Sequence, residues 1–429
     1  MAGTVIRYIL YILLIFTPLA RAAVQGWAVC VIHILTVIAL TVFLADKSLR
    51  GKWEWISTRL DKPIAALLCL CLVSAVFSRH RFSSFQAVML VLDYIVWFYL
   101  LIHVIRSRSQ FRQVIYTVLG MGTFLAVFGL FKMGGMNPFP WWTYPELGSD
   151  RLSASFGNPD HLAGYMEMAI PPALGFLLTG VKEGKRVLTC LAVLLMFTAL
   201  IFSLSRGGWI GILCALYFMG MMLLCQRHLK YKKLLVTALT LFLPVVLVIL
   251  SAADVATRIR TFEQGTEMPS FDARITAWKG AVNMIRAYPL LGSGPGTFAY
   301  VYTQHQPPGL IAYYNMAHND YLHFLAETGL PLAGIVIWMI CVFYRAGFQK
   351  MKHPSRLVRG MTLGSMSGIT ALLVHSMGDF NLHVPANAML FACLAALAAA
   401  PLPETNGAWA NGKERSGKNS MNAFRTKSA

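Results

Sequence analysis

Charge is the scarce ingredient of this 429-residue chain: 13% of its residues are Asp, Glu, Lys or Arg, about half the share in an average soluble protein. The shortage falls in long uncharged blocks, which excludes an ordinary soluble domain. Acids are scarcest, 18 against 37 Lys plus Arg. Cysteine is present but unorganised. Cys30, Cys69, Cys71, Cys190, Cys214, Cys225, Cys341 and Cys393 all sit in apolar stretches, without the CxxC or Cys/His spacing of a zinc or redox site. No serine stands in a nucleophile-elbow context, which removes the hydrolase reading of the Ser, His and Asp residues. No internal repeat marks two inverted transporter halves.

What the chain has in abundance is apolar length: 57% apolar residues and a mean hydropathy of +0.59. Apolar stretches of about 17–22 residues, the length that crosses a bilayer as a helix, number about twelve. They lie near 6–20, 26–45, 62–78, 84–105, 111–131, 162–180, 187–204, 207–225, 233–253, 330–348, 358–377 and 386–400. Backbone in lipid satisfies its hydrogen bonds within its own segment, so the expected fold is all-α, a polytopic membrane protein with about 12 transmembrane helices. The first stretch, after Arg7, lacks a convincing small-x-small cleavage site and is expected to stay as a span.

Sidedness follows from where the cations fall. With the N-terminus in the cytoplasm, 26 of the 37 Lys and Arg lie inside, and every inside loop is basic, as the positive-inside rule requires. The net charge of +19 is then a topology signal and a match to anionic lipid heads, so a nucleic-acid partner loses its motivation. Residues 1–400 are expected to form one polytopic domain and 401–429 a disordered cytoplasmic tail. Two outside loops exceed a turn. Lys132 to His161 carries Trp141 and Trp142, suited to the interface or to stacking on sugars; about 254–329, between spans nine and ten, has room for a helical subdomain.

The candidate chemistry gathers in the outside layer. Arg206, in Ser205-Arg206-Gly207-Gly208-Trp209, is either a cation snorkelling at a helix end or an anion clamp, since guanidinium binds phosphate oxygens bidentately. Ile275, Trp278, Val282 and Ile285 recur at three- and four-residue steps, which predicts an amphipathic helix ending at Pro289. Arg274 opens that helix, where it does not serve the C-terminal dipole; it is either a salt-bridge partner of an acid such as Asp272 or a second clamp. Lys279 and Arg286 read as solvated salt-bridge partners. The Leu291–Phe298 run, Leu-Gly-Ser-Gly-Pro-Gly-Thr-Phe, has no strand before it and reads as a turn, not a dinucleotide loop.

His318 precedes a short helix with Asn319 or Asp320 as its cap, Gly329 at its end and Pro331 opening the next span. It is a polar interface residue or a base beside an anion site. His323 reads as structural. Asn158 and His161 lie in a Ser-Phe-Gly-Asn-Pro-Asp-His turn at 155–161. Asp379 is placed to orient a histidine or bind a hydroxyl, and His375 near the membrane needs a cavity; with His383 these offer metal-ligand types but no defining spacing. Asn319, Asp320, Asn158, His161, His375, Asp379, Trp141 and Trp142 are secondary candidates for substrate binding. Asp93 and Glu167 are the notable ionisable residues within spans, few for a transporter.

Taken in order and spacing, Ser205-Arg206-Gly207, Arg274 with Trp278, Tyr288 to Phe298, His318-Asn319-Asp320-Tyr321-Leu322 and Glu327-Thr328-Gly329-Leu330 resemble the O-antigen ligase and O-antigen polymerase superfamily. The resemblance is closest over about 150–400, and 156–164 and His375 to Asn387 look like family segments too. It implies a bacterial inner-membrane glycosyltransferase with cytoplasmic termini and a periplasmic active site. Such enzymes pass a glycan from undecaprenyl pyrophosphate to an acceptor hydroxyl with inversion, using no nucleotide sugar, cofactor or metal. The resemblance assigns the pyrophosphate to Arg206 and Arg274 and the general-base role to His318. The acceptor, a lipid A core sugar for a ligase or another lipid-linked repeat for a polymerase, is left open, with protein glycosylation and transport as further alternatives.

The contrast among cations on one helix is testable. Lys279→Ala and Arg286→Ala are expected to keep glycan transfer within about twofold of wild type, as surface substitutions do. Severe loss in either, scored by complementation of a deletion strain, would place that cation in the anion site.

Overall fold

The computed structural model describes residues 2–51, 53–140, 151–225, 271–308 and 313–400. Among them the regular structure is helical, without a strand: α1 Ala2–Leu19, α2 Gly26–Arg50, α3 Asp61–Val76, α4 Arg81–Val104, α5 Arg108–Met133, α6 Pro159–Leu177, α7 Glu183–Phe202, α8 Arg206–Leu224, α9 Phe271–Ala287, α10 Phe298–Val301, α11 Asp320–Thr328, α12 Pro331–Lys350, α13 Arg356–His375 and α14 Pro385–Ala399. Eight of these, α1, α2, α4, α5, α7, α8, α12 and α13, are long and apolar enough to cross a membrane. The expected spans at 62–78, 162–180 and 386–400 coincide with α3, α6 and α14, which fall outside that set; α14, for one, has 15 residues. The expected ninth span at 233–253, Trp141, Trp142 and the tail lie outside the described residues. All eight cysteines are free thiols.

Local chemistry sets the helix ends. Ser107 and Gln110 close a reciprocal capping box on α5. Asn158 caps α6 ahead of Pro159, Ser205 caps α8 by accepting from the Gly208 amide, and Asn319 caps α11 by accepting from Leu322. Lipid-type helices show apolar outsides, as at Ile337 and Trp338 of α12.

The centre of the bundle is α13, which packs chiefly on α6 and α8. Gly360, Gly364 and Gly368 recur every fourth residue and form one stripe of α13. Along it the α6 backbone comes into direct contact: a Cβ on Gly364 would lie 2.6 Å from the Pro171 carbonyl oxygen, and one on Gly368 2.7 Å from that of Met168. Small residues at such a crossing let two helices approach where lipid offers no hydrophobic drive. The close approach puts the N-terminus of α6 and the C-terminus of α13 at the same end, beside the start of α8. A second, smaller apolar cluster of Ala281, Met284, Phe298, Val301, Tyr302, Ala317 and Ala326 joins α9, α10 and α11 next to that end.

Gly364→Val drives a branched side chain into backbone that cannot step aside, costing about 3 kcal/mol or more. We expect it to remove the monodisperse peak of the detergent-solubilised protein in size-exclusion chromatography, whereas Gly120→Ala, whose Cβ meets nothing within 4 Å, leaves the peak intact.

Candidate active site

The α6 N-terminus, the α13 C-terminus, the loop after it, α9 and the segment before α11 converge on one buried carboxylate, Asp379. His318 Nδ1 faces its Oδ1 at 3.5 Å, His161 Nε2 faces the same oxygen at 3.9 Å, and His375 Nε2 faces Oδ2 at 4.0 Å. The Phe380 amide donates to Oδ1 at 2.8 Å. The Phe380 ring stands edge-on to both His161 and His318, with centroids 4.6 and 4.9 Å away. Burial alone would raise the Asp379 pKa, but the close approach of His318 and the charges of His161, His375 and Arg274 outweigh it and hold the carboxyl well below the usual range.

His318 is held as well as faced. Its backbone has φ of +50°, a left-handed conformation that costs a non-glycine residue about 1 kcal/mol or more. The flanking contacts enforce it. The Trp278 indole N–H donates to the His318 carbonyl at 3.4 Å, the Asp320 amide to the carbonyls of Ser376 and Asp379, and Asn319 Nδ2 to Met377. Asp320, buried, accepts from the Ser376 hydroxyl, the Leu382 amide and His383 Nδ1. The side chains of Asn319 and Asp320 thus fasten the start of α11 to the loop carrying Asp379. Asn158 likewise spends its side-chain oxygen on the Asp160 amide.

Arg274, half-buried at the start of α9, donates to the Gly378 carbonyl at 2.8 Å and lies 3.7 Å from Asp160. Asp160 also binds Arg151 at 2.5 Å, and Arg151 Nε donates to the Ser203 carbonyl in the turn that leads to Arg206. Leu204 in that turn has φ of +51°. Arg206 is exposed at the first position of α8, and a Cβ on the next residue, Gly207, would strike the His375 imidazole. Lys279 and Arg286 are exposed on α9, away from the contacts that define the cluster.

Sequence reasoning missed Arg151 and Asp160, which link the two arginine segments. Arg151 carried a signal: it is one of the few cations on the outside of the expected topology. Glu167 was visible only as a charge within a span.

His323, Glu327 and His383 form a buried group of metal-ligand types, with one donor atom from each within 4.8 Å of the others. Hydrogen bonds already occupy most of it. Glu327 accepts the amides of Gly296 and Phe298 at 2.8 and 2.9 Å, and His323 Nε2 faces its Oε1 at 3.2 Å. His323 Nδ1 accepts the Ala317 amide at 3.4 Å, the wrong tautomer for metal ligation through Nε2. Burial, reinforced by His383, pushes the His323 pKa down against the pull of Glu327. These residues tie α11 to the 292–296 turn, where Gly292, Gly294 and Gly296 all have positive φ. That is the turn expected from the sequence.

A multi-pass helical membrane protein with a histidine–carboxylate–arginine cluster at one end of the bundle is the class defined so far. Residues 191–339 match the family described as O-antigen ligase, and this stretch contains Arg206, Arg274 and His318. The match bears out the resemblance to the O-antigen ligase and polymerase superfamily. Among curated proteins, none matches the chain.

Asp379 gives a pH-dependent stability test. Its depressed pKa contributes stability that is fully present above the unfolded-state value of about 4 and is lost as pH falls through the lower folded value. Asp379→Asn is therefore expected to lower the melting temperature by several degrees at pH 7, with the gap to wild type closing below about pH 4. A gap independent of pH would show that the charge is not what stabilises.

Proposed function

We propose that this chain is a glycosyltransferase that moves a glycan from undecaprenyl pyrophosphate to an acceptor hydroxyl. The observation that carries the reading is the convergence on Asp379: His318 with one ring nitrogen turned to the buried carboxylate, and Arg274 bonded to the same loop at Gly378. With Nδ1–H directed at Asp379, His318 keeps Nε2 as a base for the hydroxyl, and the carboxylate stabilises the imidazolium that forms. Arg206 and Arg274 bind the pyrophosphate and neutralise the charge that grows as it departs, which two permanently charged guanidiniums do without a metal ion. Attack opposite the leaving pyrophosphate inverts the anomeric centre in one displacement.

In this reading Asn158, Asn319, Asp320 and Asp379 position the reacting groups, and His161 and Phe380 pack beside the base. The basic loops support cytoplasmic termini and a site on the opposite side, which the family resemblance makes the periplasmic side of a bacterial inner membrane. Residues 1–400 act as one polytopic domain, with 401–429 as its cytoplasmic tail. We favour ligase-type transfer to a lipid A core sugar, with repeat polymerisation on a lipid-linked acceptor as the alternative; Trp141 and Trp142 are candidates for stacking on the glycan.

Deleting the gene and sizing the lipid-linked glycans separates these outcomes: long undecaprenyl-linked chains with bare acceptor mean a ligase, single repeats a polymerase, and no change refutes the proposal. Arg206→Ala, Arg274→Ala and His318→Ala should each lower transfer by about 100-fold or more while the protein still inserts. Activity retained by any one removes that residue from the mechanism. EDTA should leave the rate unchanged, and a metal requirement would overturn the two-arginine account.

A further inference from the structure

Behind Asp379 lies a second acid–histidine pair that the proposed reaction does not use. Glu167, 0% exposed within α6, and His375, 2% exposed at the end of α13, meet at 3.0 Å between Oε1 and Nδ1. With Glu167 ionised, the bond carries a proton donated by His375. The other ring nitrogen faces Asp379 Oδ2 at 4.0 Å. A lone pair there would oppose a buried carboxylate. An N–H there makes the ring an imidazolium between two carboxylates, the arrangement that leaves least charge uncompensated.

The start of α8 is shaped around this pair. A Cβ on Gly207 would strike the His375 ring, and one on Gly211 would strike the Glu167 carboxylate and lie 2.8 Å from the Ala371 carbonyl oxygen. Gly207 and Gly211 are therefore clearance for the pair, which joins the arginine turn physically to the environment of Asp379.

We infer that Glu167 and His375 are a positioning pair for the transfer, an ion couple whose positive end faces Asp379 and limits how tightly Asp379 retains a proton on His318. The inference rests on the reading of His318 as the base. Around the couple stand Asp160 and His161 from α6, Cys214 from α8, Arg274 from α9, and His318 and Asp320 at the start of α11. Arg274 is the permanent cation among them that acts on Asp379. Without the charge on His375, more of the Asp379 charge acts on His318, which then stays protonated to higher pH and is unavailable as a base.

The test uses purified full-length protein in detergent, with a membrane extract from cells lacking the gene as the source of donor and acceptor. Glu167→Gln and His375→Gln keep size and hydrogen-bonding capacity but abolish the ion couple. We expect the acidic limb of the pH–rate profile to move upward by about half a unit or more in both, with the alkaline plateau within about tenfold of wild type. A lower plateau with an unmoved limb, the signature of a merely structural pair, overturns the inference. In the same proteins, modification of His318 by diethyl pyrocarbonate, which takes unprotonated imidazole, is followed by mass spectrometry. Its onset should move in the same direction, and an unmoved onset also overturns the inference. If wild type transfers nothing, the glycosyltransferase reading fails, while the modification profiles still decide on the pair. If both glutamine variants and Glu167→Asp fail to accumulate in the membrane, the pair is a folding element and the inference falls.

Discussion

A carboxylate withdrawn from water must be surrounded by donors or cations, and Asp379 meets that demand with groups from four separate segments. His161 comes from α6, His375 from α13, Arg274 from α9 and His318 from the approach to α11. Each of these side chains faces Asp379 or its loop, and a buried charge that lost them would be left uncompensated at a cost of several kcal/mol. The strained backbone at His318 follows from the same constraint: the two residues after it, Asn319 and Asp320, are bonded to the loop that carries Asp379, its own carbonyl accepts from Trp278, and His318 itself takes a left-handed conformation.

The bundle makes this convergence possible by letting α6 and α13 touch backbone to backbone. Much of that framework was legible in the sequence. Uncharged runs of spanning length mark helices whatever their packing, and the stretches expected as spans within the described residues all coincide with helices. The cap at Asn319 and the glycine turn at 292–296 were also readable, since each rests on local backbone chemistry. The stripe of Gly360, Gly364 and Gly368 is a fact about two helices at once. A four-residue spacing of glycines acquires meaning only when Pro171 and Met168 are seen against it.

The site was legible in its residue types and less so in its connections. Arg206, Arg274 and His318 stood out because cations and a histidine at helix starts on the side poor in basic residues have few structural reasons to be there. Asp379 was recognisable as a possible partner for a histidine, but several histidines competed for it, and the structure brings three of them to it. Arg151 and Asp160 passed unnoticed because an acid in the first turn of a helix has an ordinary explanation in the helix dipole. The dipole accounts for a carboxylate near an N-terminus, and it says nothing of the two guanidiniums that carboxylate also reaches.

The division between the family match and the rest of the chain bears on how the cluster works. The matched stretch, 191–339, holds Arg206, Arg274 and His318, the groups proposed to touch donor and acceptor. The groups proposed to orient them, Arg151, Asp160, His161, Glu167, His375 and Asp379, lie on α6, on its approach, and at the end of α13 or just after it, outside the match on either side. Arg206 and His318 could not be aligned by their own segments alone, since each follows or occupies a left-handed residue that the isolated chain would relax. The close packing of α6 and α13 supplies the rigidity, and the buried acids at their meeting point convert it into direction for the side chains in front of them. A helix pair pressed together by three glycines is thus the support on which the exposed chemistry at α8, α9 and α11 is aimed.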